Sequence, residues 1–515
     1  MSENPAAAPA GNAPAAEHLR HREMAVALRN GAKMGASLII TWSVALIVKL
    51  RVPVHLGPVR QGHFGFAESF AAMFFAMLGL GIDTYLIKEV AVRPKHASDV
   101  VGGVFVLRSL MTLVLFAAMA TVLHVTGRPR EILLAVIVFG LTNFLMYVNA
   151  TLGAVLQAIS RVNPAVSSNI ATKLIWGAGL LVALHFDAPL ALLALPALIA
   201  EILRTAILMP AARKEADLHY RIDVPQVRAA IVESVPFFIN SLALGVLGSL
   251  GMSALEFVRV DEREVGWFAA VQNVAALCML LSPLLAWVVM PLLSRAFARS
   301  AEEGMAVFRR CVEGLVVTIV PITVIISAGA DVLIHLALGD KYAPARTALS
   351  ILSLVFVMTY MNMTQSMALI VMNRGWSVTL ISISAVFITA LLMLVFVPMG
   401  RHLLGEGGES AGAAAAVIGS EAFTVIALVT RFPQFPLDAR GIGALLKSLA
   451  VAVAILVVDR FIRGLGPGRL IADGLLYAAI AFAIGVVRID DVKRTIQLLR
   501  MRGAKVSTVA AGVRE

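Results

Sequence analysis

Long apolar runs dominate this sequence and recur from about residue 34 to about residue 487. Each run has close to the roughly 20 residues that an α-helix needs to cross a hydrocarbon layer of about 30 Å. Backbone N–H and C=O groups cannot stay unpaired in that layer, so these runs must be helices. The pattern predicts an all-α polytopic membrane protein with about fourteen transmembrane helices. The predicted spans are 34–51, 67–87, 104–125, 132–158, 164–185, 188–209, 229–252, 267–292, 311–330, 346–371, 376–399, 411–430, 443–461 and 469–487.

The charge content agrees with a membrane protein. The chain is 59% hydrophobic and 15% charged, whereas a soluble chain typically carries about 25% charged residues. Its net charge of +11 is compatible with two kinds of partner, nucleic acid or an anionic membrane surface. Nucleic-acid binders gather Lys and Arg on a soluble face, but here the basic residues occupy short breaks between apolar runs. We therefore expect membrane lipids as partners and no nucleic acid.

The distribution of Lys and Arg predicts the orientation. With the N-terminus in the cytoplasm, the inside loops hold about twice as many basic residues as the outside loops. Both termini are therefore expected in the cytoplasm, with the protein in the inner (plasma) membrane. Residues 1–33 begin with an Ala/Pro-rich stretch and are predicted as a disordered tail. Residues 488–515 form a basic tail, expected to lie on the anionic inner leaflet.

A faint internal repeat suggests two lobes. Gly62-His63-Phe64 and Gly266-Trp267-Phe268 are each followed by small residues, and each opens the second helix of a six-helix unit. The longest break, 210–228, lies between the units. We predict a first six-helix lobe at 34–209, a cytoplasmic loop at 210–228 and a second six-helix lobe at 229–430. Two additional helices follow at 443–487. Transporters commonly place the substrate path at such a repeat interface.

Several stretches resemble the polysaccharide flippases of the multidrug/oligosaccharidyl-lipid/polysaccharide exporter superfamily. The resemblance runs from roughly residue 30 to residue 490, in the expected order. The stretches are LGPVRQGHFG from Leu56, GLGIDTYLIKEV from Gly79, VGWF from Val265 leading to PLLSR from Pro291, GDKYAPA from Gly339, and the segment from Leu352 to Arg374.

The resemblance implies two six-helix lobes around a central cavity that opens alternately to the two sides of the membrane. The cargo it implies is a polyprenyl-pyrophosphate-linked oligosaccharide, moved from the inner to the outer leaflet for surface polysaccharide (lipopolysaccharide) synthesis. The expected partners are this lipid-linked oligosaccharide, membrane lipids and the polysaccharide polymerase machinery. Two additional C-terminal helices fit the flippase branch better than the twelve-helix drug exporters.

Ionisable residues inside apolar runs are the candidates for function, because each costs roughly 2.5–3.5 kcal/mol to insert. Arg108 and Arg204 lie near the cytoplasmic ends of their spans, so snorkelling and function remain equally open for them. Asp83 and Glu233 have similar positions. Glu201 lies three residues before Arg204, where the two can pair along one helix face.

Lys173 and Glu421 lie near the middle of the fifth and twelfth spans, far from either interface. A pyrophosphate needs cations in a low-dielectric cavity, so Lys173, Arg108 and Arg204 are predicted to bind the head group. Glu421 is predicted to bind sugar hydroxyls or a coupling proton. The carboxylates predicted to line the cavity or couple protons are Glu421, Glu201, Asp83 and Glu233.

Other chemistry is disfavoured by the sequence. It contains no GxxxxGK[ST] loop for ATP, and Cys278 and Cys311 lack metal-ligand spacing. We expect no cofactor, no metal, no catalytic residues and no enzyme activity. Three alternatives remain open: a multidrug exporter working by cation antiport, a lipid II flippase, and a membrane glycan ligase or glycosyltransferase. The last needs reactive groups at the membrane face, usually on a sizeable loop, and the loops here are short.

Overall fold

A computed structural model describes residues 13–93, 97–159, 161, 163–219, 223–258, 261–278, 282–433 and 439–484. The described chain contains no β-strand, in agreement with the predicted all-α class. The helices are α1 (Ala13–Phe75), α2 (Ile82–Val92), α3 (Ala97–Val125), α4 (Arg130–Ala158), α5 (Asn163–His185), α6 (Leu190–Glu215), α7 (Val224–Phe257), α8 (Glu262–Cys278), α9 (Ser282–Arg299), α10 (Ala301–Ala328), α11 (Ala330–Ala337), α12 (Arg346–Leu352), α13 (Val355–Val371), α14 (Gly375–Leu404), α15 (Gly408–Val429), α16 (Ala439–Phe461) and α17 (Arg469–Ala483).

Eleven segments of the described chain are long and apolar enough to span a membrane, against the fourteen predicted. Most residues of the first two predicted spans fall in a single segment, Ile40–Gly79, and the end of the second predicted span lies in α2. The predicted eighth span crosses residues 279–281, which lie outside the described residues. The predicted thirteenth corresponds to α16, which is not among the eleven. The other predicted spans each match one segment.

The first two spans are joined by a kink rather than a loop. Helix α1 bends at Gly57, whose φ of 70° and ψ of 171° are not helical. A positive φ favours glycine, and the following Pro58 restarts a helix because its φ is already helical. The helix also begins at Ala13, so residues 13–33 of the predicted disordered tail are helical. Residues 1–12 and the predicted basic tail 488–515 lie outside the described residues.

The chain divides into two compact units, the first made of residues 1–48 and 78–237 and the second of residues 49–77 and 238–515. In the first unit, α4 packs against α2, α3, α5 and α6. Its position among four neighbours makes α4 the central helix of that unit.

In the second unit, the backbones of α14 and α15 approach each other closely. A Cβ atom on Gly400 would overlap the carbonyl of Gly408, and one on Gly412 would overlap the carbonyl of Phe396. Small residues allow transmembrane helices to approach in this way. Elsewhere in this unit, helices α9, α10, α13, α16 and α17 share a core that includes Phe308, Val312 and Ile455.

The two segments of the internal repeat, at Gly62 and at Gly266, meet within the second unit. A Cβ atom on Gly62 would lie 2.9 Å from the backbone nitrogen of Gly266, and a Cβ atom on Gly266 would overlap the carbonyl oxygen of Pro58. Next to this crossing, His63 Nε2 lies 3.6 Å from Glu262 Oε1. The sequence similarity of the two segments thus has a structural counterpart, a glycine-to-glycine contact at the start of α8.

Candidate functional site

Arg108 is fully buried beside the helix break that precedes α2. A 3₁₀ turn at Ala76–Gly79 ends in Leu80 and Gly81, both with positive φ, before α2 begins. Such a break leaves carbonyl groups without helical partners. Arg108 Nε donates to Leu78 O at 2.8 Å and Nη2 donates to Gly79 O at 3.2 Å. The guanidinium therefore provides hydrogen-bond donors for the carbonyl groups at the end of the broken helix.

The remaining donors of Arg108 are also engaged. Nη1 donates to Tyr147 O at 2.6 Å and to Thr151 Oγ1 at 2.5 Å. Asp83 Oδ1 lies 3.6 Å from Nη2 and accepts a hydrogen bond from Thr151 Oγ1 at 2.6 Å. We assign Arg108 and Asp83 a structural role in this conformation, tying α2 and α3 to α4. Their predicted parts in head-group binding and proton coupling would require this network to open.

Glu201 and Arg204 form the predicted pair along α6, with Oε1 and Nη1 3.6 Å apart. Asn149 of α4 donates through Nδ2 to Glu201 Oε2 at 2.8 Å and to Glu201 O at 3.0 Å. The predicted pairing of Glu201 with Arg204 is thus confirmed, and Asn149 joins α4 to α6. Arg204 Nε is buried and makes no hydrogen bond to any described residue. This guanidinium therefore retains a free donor, unlike that of Arg108.

Lys173 lies half-buried on α5, with Nζ 4.9 Å from the centre of the Trp176 ring. A cation over an indole face is stabilised by the negative potential of the ring. Glu233, on α7, is exposed. Arg108 and the Glu201–Arg204 pair engage different residues of one α4 segment, 147–151. Arg108 is joined to Asp83 and Arg204 to Glu201, so the structure separates these two cations into different clusters.

Glu421 holds the predicted position inside the second unit, half-buried on α15. Asn362 of α13 donates through Nδ2 to Glu421 Oε2 and, at 3.3 Å, to the Glu421 carbonyl. Thr359, one turn before Asn362, also hydrogen-bonds the carboxyl group. Two polar side chains of α13 therefore orient this acid.

Two further clusters were not found from the sequence. Glu264, at the start of α8, accepts hydrogen bonds from Gly407 N at 2.6 Å and from Ser410 N at 2.9 Å. It caps the first turn of α15, and burial raises its pKa while the Ser410 donors oppose that shift. The second cluster joins Asp459, Arg469 and Asp473 of α16 and α17. In the sequence these three charged residues lie near the ends of the last two predicted spans, where charged residues are common, so they did not indicate a cluster.

No group of three or more His, Cys, Asp and Glu side chains in the described chain is arranged to hold a metal ion. The clusters described above contain cations, single or paired carboxylates, and amides. Their chemistry is suited to binding charged or hydroxylated groups.

Comparison with known proteins identifies the family. The family described as "Polysaccharide biosynthesis protein" matches residues 27–297, which is more than half of the 515 residues. The chain belongs to this family. The resemblance predicted from the sequence is thereby confirmed. No curated protein matches the chain.

Solved structures similar to this polysaccharide biosynthesis family member show its fold. The lipid II flippase MurJ, in an inward closed conformation, has a TM-score of 0.67 and 11% identity over 88% of this chain and 98% of its own. A mutant of the Vibrio cholerae MATE transporter VcmN has a TM-score of 0.55 and 14% identity, over 79% and 97% of the two chains. A MOP superfamily transporter from Pyrococcus furiosus has a TM-score of 0.56 and 15% identity, over 82% and 95%.

These comparisons place the chain in a fold used by flippases and transporters. At such low identities the likeness concerns the fold alone. The chain is a multi-pass membrane protein with a MOP-type transporter fold, as predicted.

Proposed function

We propose that this protein moves a polyprenyl-pyrophosphate-linked oligosaccharide from the inner to the outer leaflet by alternating access, for surface polysaccharide synthesis. The observation that carries the proposal is membership of a family of polysaccharide biosynthesis proteins together with a flippase fold. The lobes at 34–209 and 229–430, the inner-membrane location and the cytoplasmic termini belong to the same proposal. So does the polymerase machinery as the consumer of the flipped unit.

Lys173 and Arg204 are the proposed ligands of the pyrophosphate. Lys173 is half-buried in a span, and Arg204 keeps a buried Nε without a described partner. Cations held away from bulk water attract a pyrophosphate more strongly than they would in water. Glu421, positioned by Asn362 and Thr359, is proposed to accept hydrogen bonds from sugar hydroxyls or to carry a coupling proton. Glu201 has a supporting role through its pairing with Arg204, and exposed Glu233 stays a candidate for the same path.

The test is complementation of a gene deletion in the native host. The deletion is expected to remove the surface polymer and to trap its lipid-linked unit in the cytoplasmic leaflet, where an impermeant glycan-binding probe cannot reach it. Lys173→Gln should lower export about tenfold or more, because a hydrogen bond between charged groups contributes roughly 1.5–3 kcal/mol. Lys173→Arg keeps the charge and should keep part of the activity.

Lys214→Gln is the matched control, because Lys214 is exposed at the end of α6. It should export at the wild-type level. All variants must be present in the membrane in equal amounts. Wild-type export by Lys173→Gln would remove Lys173 from the proposed head-group site, and normal polymer in the deletion strain would contradict the flippase proposal itself.

Multidrug export by cation antiport is the second candidate. It is favoured by the likeness to MATE transporters and by the intramembrane carboxyl group of Glu421. It predicts normal polymer and new sensitivity to cationic drugs in the deletion strain. Lipid II flipping, the activity named for MurJ, predicts accumulation of lipid II in place of the polysaccharide unit. A glycan ligase or glycosyltransferase predicts sugar transfer by the purified protein in detergent.

A further inference from the structure

Helices α16 and α17, which follow the two predicted lobes, share a buried polar seam. Asp473 is fully buried, and Asp459 and Arg469 are each only 3% exposed. Arg469, Asp473 and Tyr477 are spaced four residues apart on α17, so they lie on one face of that helix. Ionisable side chains buried inside transmembrane segments are costly, and they default to functional candidates.

Arg469 links this seam to water. Its Nη2 forms an ion pair with Asp331 and donates to Ala328 O at 3.3 Å, and its Nε lies 3.2 Å from Asp459 Oδ1. The side chain of Asp331 is 47% exposed. The single positive charge of Arg469 is therefore shared by two carboxylates, one at the surface and one in the interior.

Asp473 forms no ion pair within 4.0 Å with any described residue. Neither of its oxygens accepts a hydrogen bond from a donor among the described residues. Its carboxyl group nevertheless lies within hydrogen-bonding reach of the carboxyl group of Asp459. Ionised carboxylates only accept hydrogen bonds, and two such charges side by side in a low-dielectric site cannot both persist. A contact between two carboxyl groups is therefore stabilised when they share one proton.

The seam continues one helical turn further along α17, beyond Asp473. Tyr477 is buried on the same face of α17, and Ser448 of α16 is buried nearby. The two hydroxyl groups lie within hydrogen-bonding reach of each other. These hydroxyls extend the polar surface beyond Asp473, away from Asp331.

We propose that Asp459 and Asp473 form a proton-binding carboxyl pair that exchanges its proton with water at the Asp331 end of the seam, with Arg469 positioning the pair and staying protonated. One proton from water forms one O–H bond on a carboxylate oxygen, and no other bond changes. A proton fits better than a metal ion, because the guanidinium of Arg469 already lies 3.2 Å from Asp459 Oδ1 and would repel a second cation. This pair lies outside the proposed head-group site and does not depend on the cargo.

The charged and titratable groups around Asp473 are few. They are Arg469 and Tyr477 on α17, Asp459 on α16, and Asp331 on α11 beyond Arg469. The facing part of α10, residues 321–328, carries no titratable side chain. Arg469 is therefore the positive charge that lies next to the pair.

Dicyclohexylcarbodiimide tests the proposal, because it modifies protonated carboxyl groups in apolar surroundings. The purified full-length protein is treated at pH 7 and the modified residue is located by peptide mass spectrometry. Modification of Asp473 or Asp459 is expected, decreasing as the pH is raised. In Asp459→Asn the amide can donate to Asp473, so the shared proton is no longer needed. Modification of Asp473 should then fall about tenfold or more, a factor equivalent to about 1.4 kcal/mol.

Infrared difference spectra provide a second measurement that needs no reagent. The wild type at pH 7 should show a carbonyl band component of a protonated acid that both Asp459→Asn and Asp473→Asn remove. Glu421→Gln is the matched control for another buried acid and should keep that same component. No modification at either residue together with an unchanged band in both variants would overturn the proposal. Suppression of the modification by Na⁺ but not by K⁺ at constant pH would overturn it in favour of a cation site.

Discussion

Arg108 illustrates how little the identity of a single residue says about its use. From the sequence alone, an arginine inside a membrane span is compatible with a snorkelling side chain, a ligand or a structural anchor. Here its donors are engaged by the carbonyls of Leu78 and Gly79, by Tyr147 O and by Thr151. The helix break beside Gly81 depends on these bonds, because the carbonyls have no other donor nearby in the helix.

Arg108→Gln is expected to destabilise the folded protein. Breaking a buried, hydrogen-bonded charge network by removing one partner costs roughly 3–5 kcal/mol. Thermal unfolding in detergent, followed by intrinsic fluorescence, should show a clearly lower midpoint. Arg161→Gln is the matched control: its exposed side chain lies 3.6 Å from Glu215, and exposed pairs contribute only about 0–1 kcal/mol. Wild-type stability with loss of export in Arg108→Gln would instead support its role as a ligand.

At the scale of the elements, the contact between α1 and the start of α8 depends on glycine. The kink at Gly57 turns the chain with a positive φ, and beyond it Gly62 and Gly266 face each other. The carbonyl of Pro58 occupies the space that a side chain on Gly266 would need. Tyr342 supports the same segment by donating its hydroxyl hydrogen to Pro53 O at 2.7 Å.

Gly266→Ala should therefore destabilise the second unit, although alanine normally favours a helix. Overpacking costs about 1–3 kcal/mol, which outweighs the gain of up to about 1 kcal/mol in helix propensity. Gly314→Ala on α10 is the control, because no atom lies within 4 Å of the position its Cβ would take. The unfolding midpoint should fall for Gly266→Ala and hold or rise for Gly314→Ala. Equal midpoints would show that the contact is not tight in the membrane.

For the whole molecule, the proposed orientation assigns each described loop to one side of the membrane. The breaks after α3 and α14 should face outwards, and those after α4 and α13 should face the cytoplasm. This alternation follows from the positive-inside rule applied to the basic loops. The contact at Gly62 and Gly266 and the Asp459–Asp473 pair would both lie towards the outer face.

Single cysteines test this arrangement after replacement of Cys278 and Cys311. Thr126→Cys and Glu406→Cys should react with a membrane-impermeant maleimide in intact cells. Arg161→Cys and Arg374→Cys should react only after permeabilisation. All four side chains belong to exposed residues, so a difference in labelling reports the side of the membrane. Labelling of Arg161→Cys in intact cells would contradict the proposed orientation.

The sequence by itself determined the all-α membrane class, the order of most spans, the family and the pairing of Glu201 with Arg204. These depend on local properties: the length of an apolar run, the spacing of two residues on one helix, and short stretches of characteristic sequence. Such properties are local in the sequence and need no knowledge of packing.

Only the tertiary structure decided which charged side chains bond to other parts of the protein. Arg108 reaches carbonyls about 30 residues away, Glu421 meets Asn362 of another helix, and Asp473 meets Asp459 across two helices. It also showed that the first two spans share one kinked helix. The physical reason is that burial cost makes each charge seek a partner, but helix packing determines which partner lies within reach.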